Sequence, residues 1–147
     1  MEREAPFVEG PGVHRLVVPE GRGVVGRCRD FVREVLRGCG WLDDADDEGQ
    51  AIAEDVLLMA SEIVTNAALH AGGPREVVVL ADGPWLRVEV LDASAAPPVL
   101  YPSVASRPGG HGLRVVQRLA AAWGSEPRAG GKAVWFEVSR PALESRP

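Results

Sequence analysis

The sequence predicts an α+β fold, a two-layer sandwich of helices on one face of a mixed, largely antiparallel sheet. Two long segments carry apolar residues at three- and four-residue spacing, the mark of amphipathic helices. Shorter segments rich in Val and alternating residues are joined by tight-turn sequences, the mark of hairpins. Helices and strands alternate irregularly, with a hairpin between them, and this order fits helices packed on an antiparallel sheet.

Taken in order, residues 1–12 contain Pro6, Gly10, Pro11 and Gly12 and read as a flexible lead-in. HRLVVP, 14–19, reads as a short strand. From Gly23 to Cys39 the residues Val24, Cys28, Phe31, Val32, Val35, Leu36 and Cys39 form a helical apolar stripe, stopped by Gly38 and Gly40. The second helix starts in the acidic loop DDADDEG, where Asp47 and Gln50 have the spacing of a capping box. It runs to Gly72, Gly73 and Pro74. REVVVLA (75–81) and WLRVEVL (85–91) read as two strands turned through Asp82 and Gly83. In the second of them Leu86, Val88 and Val90 face one way and Arg87 and Glu89 the other.

Ala93 to Gly110 has no periodicity and holds Pro97, Pro98, Pro102 and Pro108; a structureless stretch of that length inside a domain is functional or disordered. GLRVVQRLAAAW, 112–123, reads as a third helix. SEPRAGGKAVWFEV closes the domain as a hairpin through Ala129, Gly130 and Gly131. The expectation is one domain over 1–147, with an ordered core at about 13–139 and flexible ends.

A chain of 147 residues with 46% hydrophobic and 25% charged residues is long enough for one sizeable core. Its net charge of -5, with Lys and Arg dispersed, argues against direct binding to a nucleic-acid backbone. No apolar run approaches the roughly 18 residues of a membrane span, and the opening MEREAPFVEGPG lacks the order of a signal peptide, so a cytoplasmic location is expected. Cys28 and Cys39 share the first helix about 16 Å apart, too far for a mutual disulfide.

Three features can carry chemistry. On the second helix, within SEIVTNAALHAGG (61–73), Glu62, Asn66 and His70 recur every four residues and share a face distinct from the apolar stripe of Ile52, Val56, Met59, Ala60, Ile63 and Ala67. A carboxylate there can take a proton, and an amide oxygen can ligate a hard cation such as the Mg2+ that accompanies nucleotide phosphates. A solvated helix face accounts for the spacing equally well. His70 fits the helix end, where an imidazolium suits the dipole, better than a catalytic role. Asp92 closes a strand, where a carboxylate can accept from the exocyclic amine of a purine or cap a turn. RPGGHGL, 107–113, places glycines at a helix start, where backbone amides can approach a phosphate or simply make a flexible turn.

In this order, E-x-x-x-N on a helix, Asp at a strand end and G-x-G after a long loop, the sequence resembles the GHKL or Bergerat-fold ATPases. It is most similar to the single-domain anti-sigma factor serine/threonine kinases, a histidine kinase-like ATPase family. SEIVTNAALHAG resembles their N box, VEVLDASAAPP their first glycine box, GGHGLRVVQRLAAAWG their second and GGKAVWFEV their closing strand. The resemblance runs from about Arg15 to Val138. It implies a Bergerat ATP-binding fold with ATP and Mg2+ as cofactors. Asn66 would be the metal ligand, Glu62 the general base and Asp92 the partner of the adenine amine. Gly110 and Gly112, with Leu113 beside them, would bring the backbone to the phosphates, and residues 93–108 would form a lid. Arg107, at the end of that lid, is placed to reach a phosphate.

The chain departs from the pattern in the first glycine box, where Asp92 is followed by Ala93, Ser94, Ala95 and Ala96, and in the closing strand, where Lys132 replaces a threonine found in many relatives. Transfer of phosphate to a serine or threonine of an anti-sigma factor antagonist, with control of a sigma factor, is the activity the resemblance implies. A nucleotide-sensing interaction module without phosphoryl transfer is the alternative that the altered box motivates, and the catalytic half of a split histidine kinase is a third. A homodimer through apolar positions of the first helix is compatible with the sequence.

Overall fold

The computed structural model describes residues 12–42, 46–98 and 113–140. Five strands form one antiparallel sheet: β1 (Val13–Val17), β2 (Pro74–Asp82), β3 (Trp85–Asp92), β4 (Ala122–Arg128) and β5 (Gly131–Ser139). Their spatial order is β1-β2-β3-β5-β4, so β5 enters between β3 and β4. Helices α1 (Val24–Gly38), α2 (Asp47–His70) and α3 (Arg114–Leu119) are the other elements, and each contributes side chains to the core that the sheet lines. The expected α+β sandwich is therefore the architecture found, with every strand pairing antiparallel.

The period-two pattern of the strands explains the layering. The cross-strand row Val79, Val88, Phe136 and Trp123, and the row Leu16, Val77, Val90 and Val134, lie on the helix side. Against them pack Cys28, Val32, Val35 and Leu36 of α1 and Val56, Met59, Ala60, Ile63 and Ala67 of α2. Cys28 and Cys39 are both free. Burial, only partly offset by Arg27, pushes the Cys28 thiol up to about 11, which keeps it a core side chain rather than a nucleophile.

Four local expectations are corrected. The cap of α2 is Asp46, whose Oδ1 accepts from the Gly49 N–H at 2.8 Å, so Asp47 and Gln50 lie inside the first turn instead of forming a capping box. The β2–β3 turn is Gly83–Pro84, because Asp82 pairs with Trp85 and prolongs the strand; Gly83 takes the positive φ of 60° at the first turn position. Finally, α3 ends at Leu119, not Trp123. Ala122 and Trp123 pair with Glu137 and Phe136, and the Ala121 N–H donates to the Glu137 carbonyl, so ladder formation overrides the helix preference of the alanine run. Similarly, Gly131 belongs to β5 and the last turn is Ala129–Gly130. The exposed large apolar side chains among the described residues are Val17, Leu58, Leu69, Trp85 and Leu119, none of them on α1, where Val24, Val25 and Phe31 are half-buried.

The sheet's other face holds a charged network. Arg87 donates from Nε to Glu89 Oε2 at 2.7 Å, from Nη1 to Glu137 Oε2 at 2.8 Å and from Nη2 to Glu126 Oε2 at 3.3 Å, while its guanidinium lies 4.0 Å from the Trp135 ring centre. Arg128 donates to Glu126 Oε1 at 2.9 Å. Trp135 lies against Gly124, where an added Cβ would meet the indole at 3.0 Å. Burial would raise the Glu126 carboxyl, but the Arg128 hydrogen bond and the charges of Arg87 and Arg128 outweigh it and hold it below its usual 4.5. The folded chain therefore releases this proton more readily than the unfolded chain. The associated stability is present above the unfolded value and is lost as pH falls through the folded one. Glu126→Gln is expected to flatten the acid limb of a stability-against-pH curve, measured by urea unfolding between about pH 3 and 5.

Candidate functional site

Glu62 and Asn66 sit one turn apart in the C-terminal half of α2, and both are buried, at 7% and 6% exposure. A solvated helix face does not account for this, since it would leave such side chains open to water. His70, the next residue along the stripe, is exposed at the helix end. The cause lies in how α2 meets its neighbours. Its flanking residues Val56, Met59, Ile63 and Ala67 enter the core, and α2 also packs on α3. A buried carboxylate and amide need polar partners, and a site for a polar ligand is one reason to keep them.

Asp92 ends β3 and pairs in register with Pro74, the first residue of β2. Because α2 leads through Gly72 and Gly73 directly into Pro74, the topology brings Asp92 to the same end of the sheet as Glu62 and Asn66. The Asp92 side chain is 1% exposed. Its Oδ1 accepts from the Ser94 N–H at 2.9 Å and from Lys132 Nζ at 3.1 Å, and Lys132 Nζ also donates to the Ser94 carbonyl at 3.3 Å. Lys132 is buried as well, at 5% exposure, and is the register partner of Asp92. Next to it, Gly131 brings β5 so close to the end of β3 that a Cβ would overlap the Asp92 carbonyl.

Leu113 is fully buried at the start of α3 and anchors that helix to the core. Arg107, Gly110 and Gly112 lie outside the described residues, as does most of the expected lid; of 93–108 the structure describes only 93–98. Sequence reasoning missed the Asp92–Lys132 pair. Lys132 was visible only as a departure in the closing strand, whereas the β3–β5 register is what places it on Asp92.

A cleft of about 590 Å³ lies elsewhere, lined by His14, Phe31, Glu34, Trp41 and Ala81. Ala81 is next to the hairpin turn, at the opposite end of the sheet from Asp92, and none of the expected site residues lines this cleft. No group of three or more His, Cys, Asp or Glu side chains able to hold a metal ion occurs among the described residues.

No family model matches the chain, and no curated protein matches it. Among solved structures it is similar to the crystal structure of the RsbU and RsbW domains of Rv1364c from Mycobacterium tuberculosis, at 21% identity and a TM-score of 0.63. The match covers 88% of this chain and 33% of that one. This chain shares the fold of that part. It spans about a third of the neighbour's length, at 33%. No helix among the described residues is long and apolar enough to cross a membrane.

Proposed function

We propose that this chain binds Mg-ATP in the manner of the anti-sigma factor kinases and regulates a protein partner of the sigma factor or antagonist class. The observation that carries the proposal is the burial of Glu62 and Asn66 on α2 at the sheet end where Asp92 closes β3. The motif order and the shared fold support it. In this reading Asn66 offers its amide oxygen to the metal, which supplies charge neutralisation at the phosphates when bound. Glu62 accepts the proton of an attacking serine or threonine hydroxyl. Gly110 and Gly112 would bring backbone amides to the phosphates.

The second reading is a nucleotide-sensing interaction module without phosphoryl transfer. It is favoured by the engagement of Asp92 with Lys132, which leaves the base-binding carboxylate already bonded. Isothermal titration with Mg-ATP and Mg-ADP tests the two together: saturable binding of either is expected, and no measurable heat from both removes both readings. Labelled Mg-ATP incubated with candidate antagonist proteins then separates them, since transfer of label is expected of the kinase and binding without transfer of the module.

A further inference from the structure

The pair Lys132–Asp92 has a consequence for which base the site accepts, and this inference rests on the nucleotide reading above. Asp92 would meet the 6-position of a purine as a hydrogen-bond acceptor, which suits the amine of adenine. An ammonium now sits on that carboxylate. Oδ1 already takes two donors, the Ser94 N–H at 2.9 Å and Lys132 Nζ at 3.1 Å. Of the three ammonium protons, one goes to Asp92 and one to the Ser94 carbonyl. The third has no partner among the described residues. The side chain cannot swing out to water without dismantling a buried pair, because Lys132 and Asp92 side chains are 6% and 1% exposed. Gly131 fixes its backbone against Asp92 as well.

We propose that Lys132 is a specificity-determining residue that turns this acceptor position into a donor, so that the site prefers a 6-oxopurine nucleotide to an adenine nucleotide. A carbonyl at position 6 accepts the spare ammonium proton, whereas an amine there sets donor against donor. Lysine paired with purine O6 is a common recognition contact, and the cost of leaving a buried donor unsatisfied sets the scale of discrimination.

Inosine triphosphate is the sharpest probe, since it differs from ATP only at the 6-substituent and the adjacent ring N–H. Titration of the full chain with Mg-ITP and Mg-ATP is expected to show ITP binding tighter by about tenfold or more. Lys132→Met, which keeps the stem and removes the protons, is expected to abolish or reverse that ratio, and Lys132→Arg to keep it. A thermal melt of each variant identifies any that fails to fold, and the wild-type and arginine ratios then decide. An ATP preference in the wild type, or a ratio unchanged in a folded Lys132→Met protein, overturns this inference alone. Absence of binding by both nucleotides in the wild type overturns the nucleotide reading itself, and the inference with it.

Discussion

Arg87→Ala is expected to lower stability by about 3–5 kcal/mol, because it strips the nearer of two counterions from a carboxylate that cannot reach water and leaves it only Arg128, 3.6 Å from its Oε2. Glu89 is 2% exposed although it faces away from the helices, and its Oε2 takes the Arg87 Nε hydrogen bond at 2.7 Å. Its Oε1 is buried with no hydrogen-bond partner, so the carboxylate already depends on one side of its geometry. Burial alone works against the charge of Arg87, and the hydrogen bonds to Glu89 and Glu137 outweigh it, raising the guanidinium's proton affinity. Removing the arginine also takes away its stacking on Trp135. Urea unfolding measures the loss. The double variant Arg87→Ala/Glu89→Leu is expected to recover most of it, since it removes the buried carboxylate together with its nearest counterion, while Glu126 and Glu137 are far less buried. Equal instability in the single and double variants would mean that packing, not the charge, is what Arg87 supplies.

The second large effect is expected at Gly131. A Cβ here would overlap the Asp92 carbonyl and crowd Ala93, so even alanine forces β5 away from β3. Overpacking of this kind costs about 1–3 kcal/mol, and in this case the obstacle is backbone, which has less room to give than a side chain. For a chain of this length a loss of that size lowers the melting temperature by roughly 3–10 °C. Gly130→Ala is the control: it meets nothing within 4 Å but has a φ of 80°, so it carries only the conformational cost of a left-handed turn. Scanning calorimetry on the two variants is expected to rank Gly131→Ala well below Gly130→Ala; the reverse order would contradict the close approach.

What could be read from the sequence divides along the range of the interactions involved. The stripes of α1 and α2 were legible because each helix declares its buried face within its own turns, and Cys28, Val32, Leu36, Val56 and Ile63 are all in the core. The hairpins were legible for the same reason. The extent of α3 was not, because Ala121–Trp123 has helical propensity and is claimed by β5, a partner that follows in sequence. The polar stripe of α2 was found, but its burial depends on how α2 packs against the rest of the fold, which spacing along one helix does not contain. Likewise Arg87 and Glu89 were assigned to the right face, while the closure of that face by Trp135, Glu126 and Arg128 is a matter of register across three strands. Asp92 was singled out without its lysine, since the two are forty positions apart and only the β3–β5 ladder joins them.

The strand order gives the chain an unequal tolerance to change in length. β2–β3 and β4–β5 are closed by two-residue turns, so an inserted residue there shifts a register and turns buried side chains toward the wrong face. The passage from β3 to β4 is different, because β5 lies between them and no ladder measures the distance. Doubling the length of a flexible connection adds only about 0.6 kcal/mol of closure entropy. A change in the length of the connection from β3 to β4 thus shifts no strand register, and the sheet that carries Asp92 is left as it is.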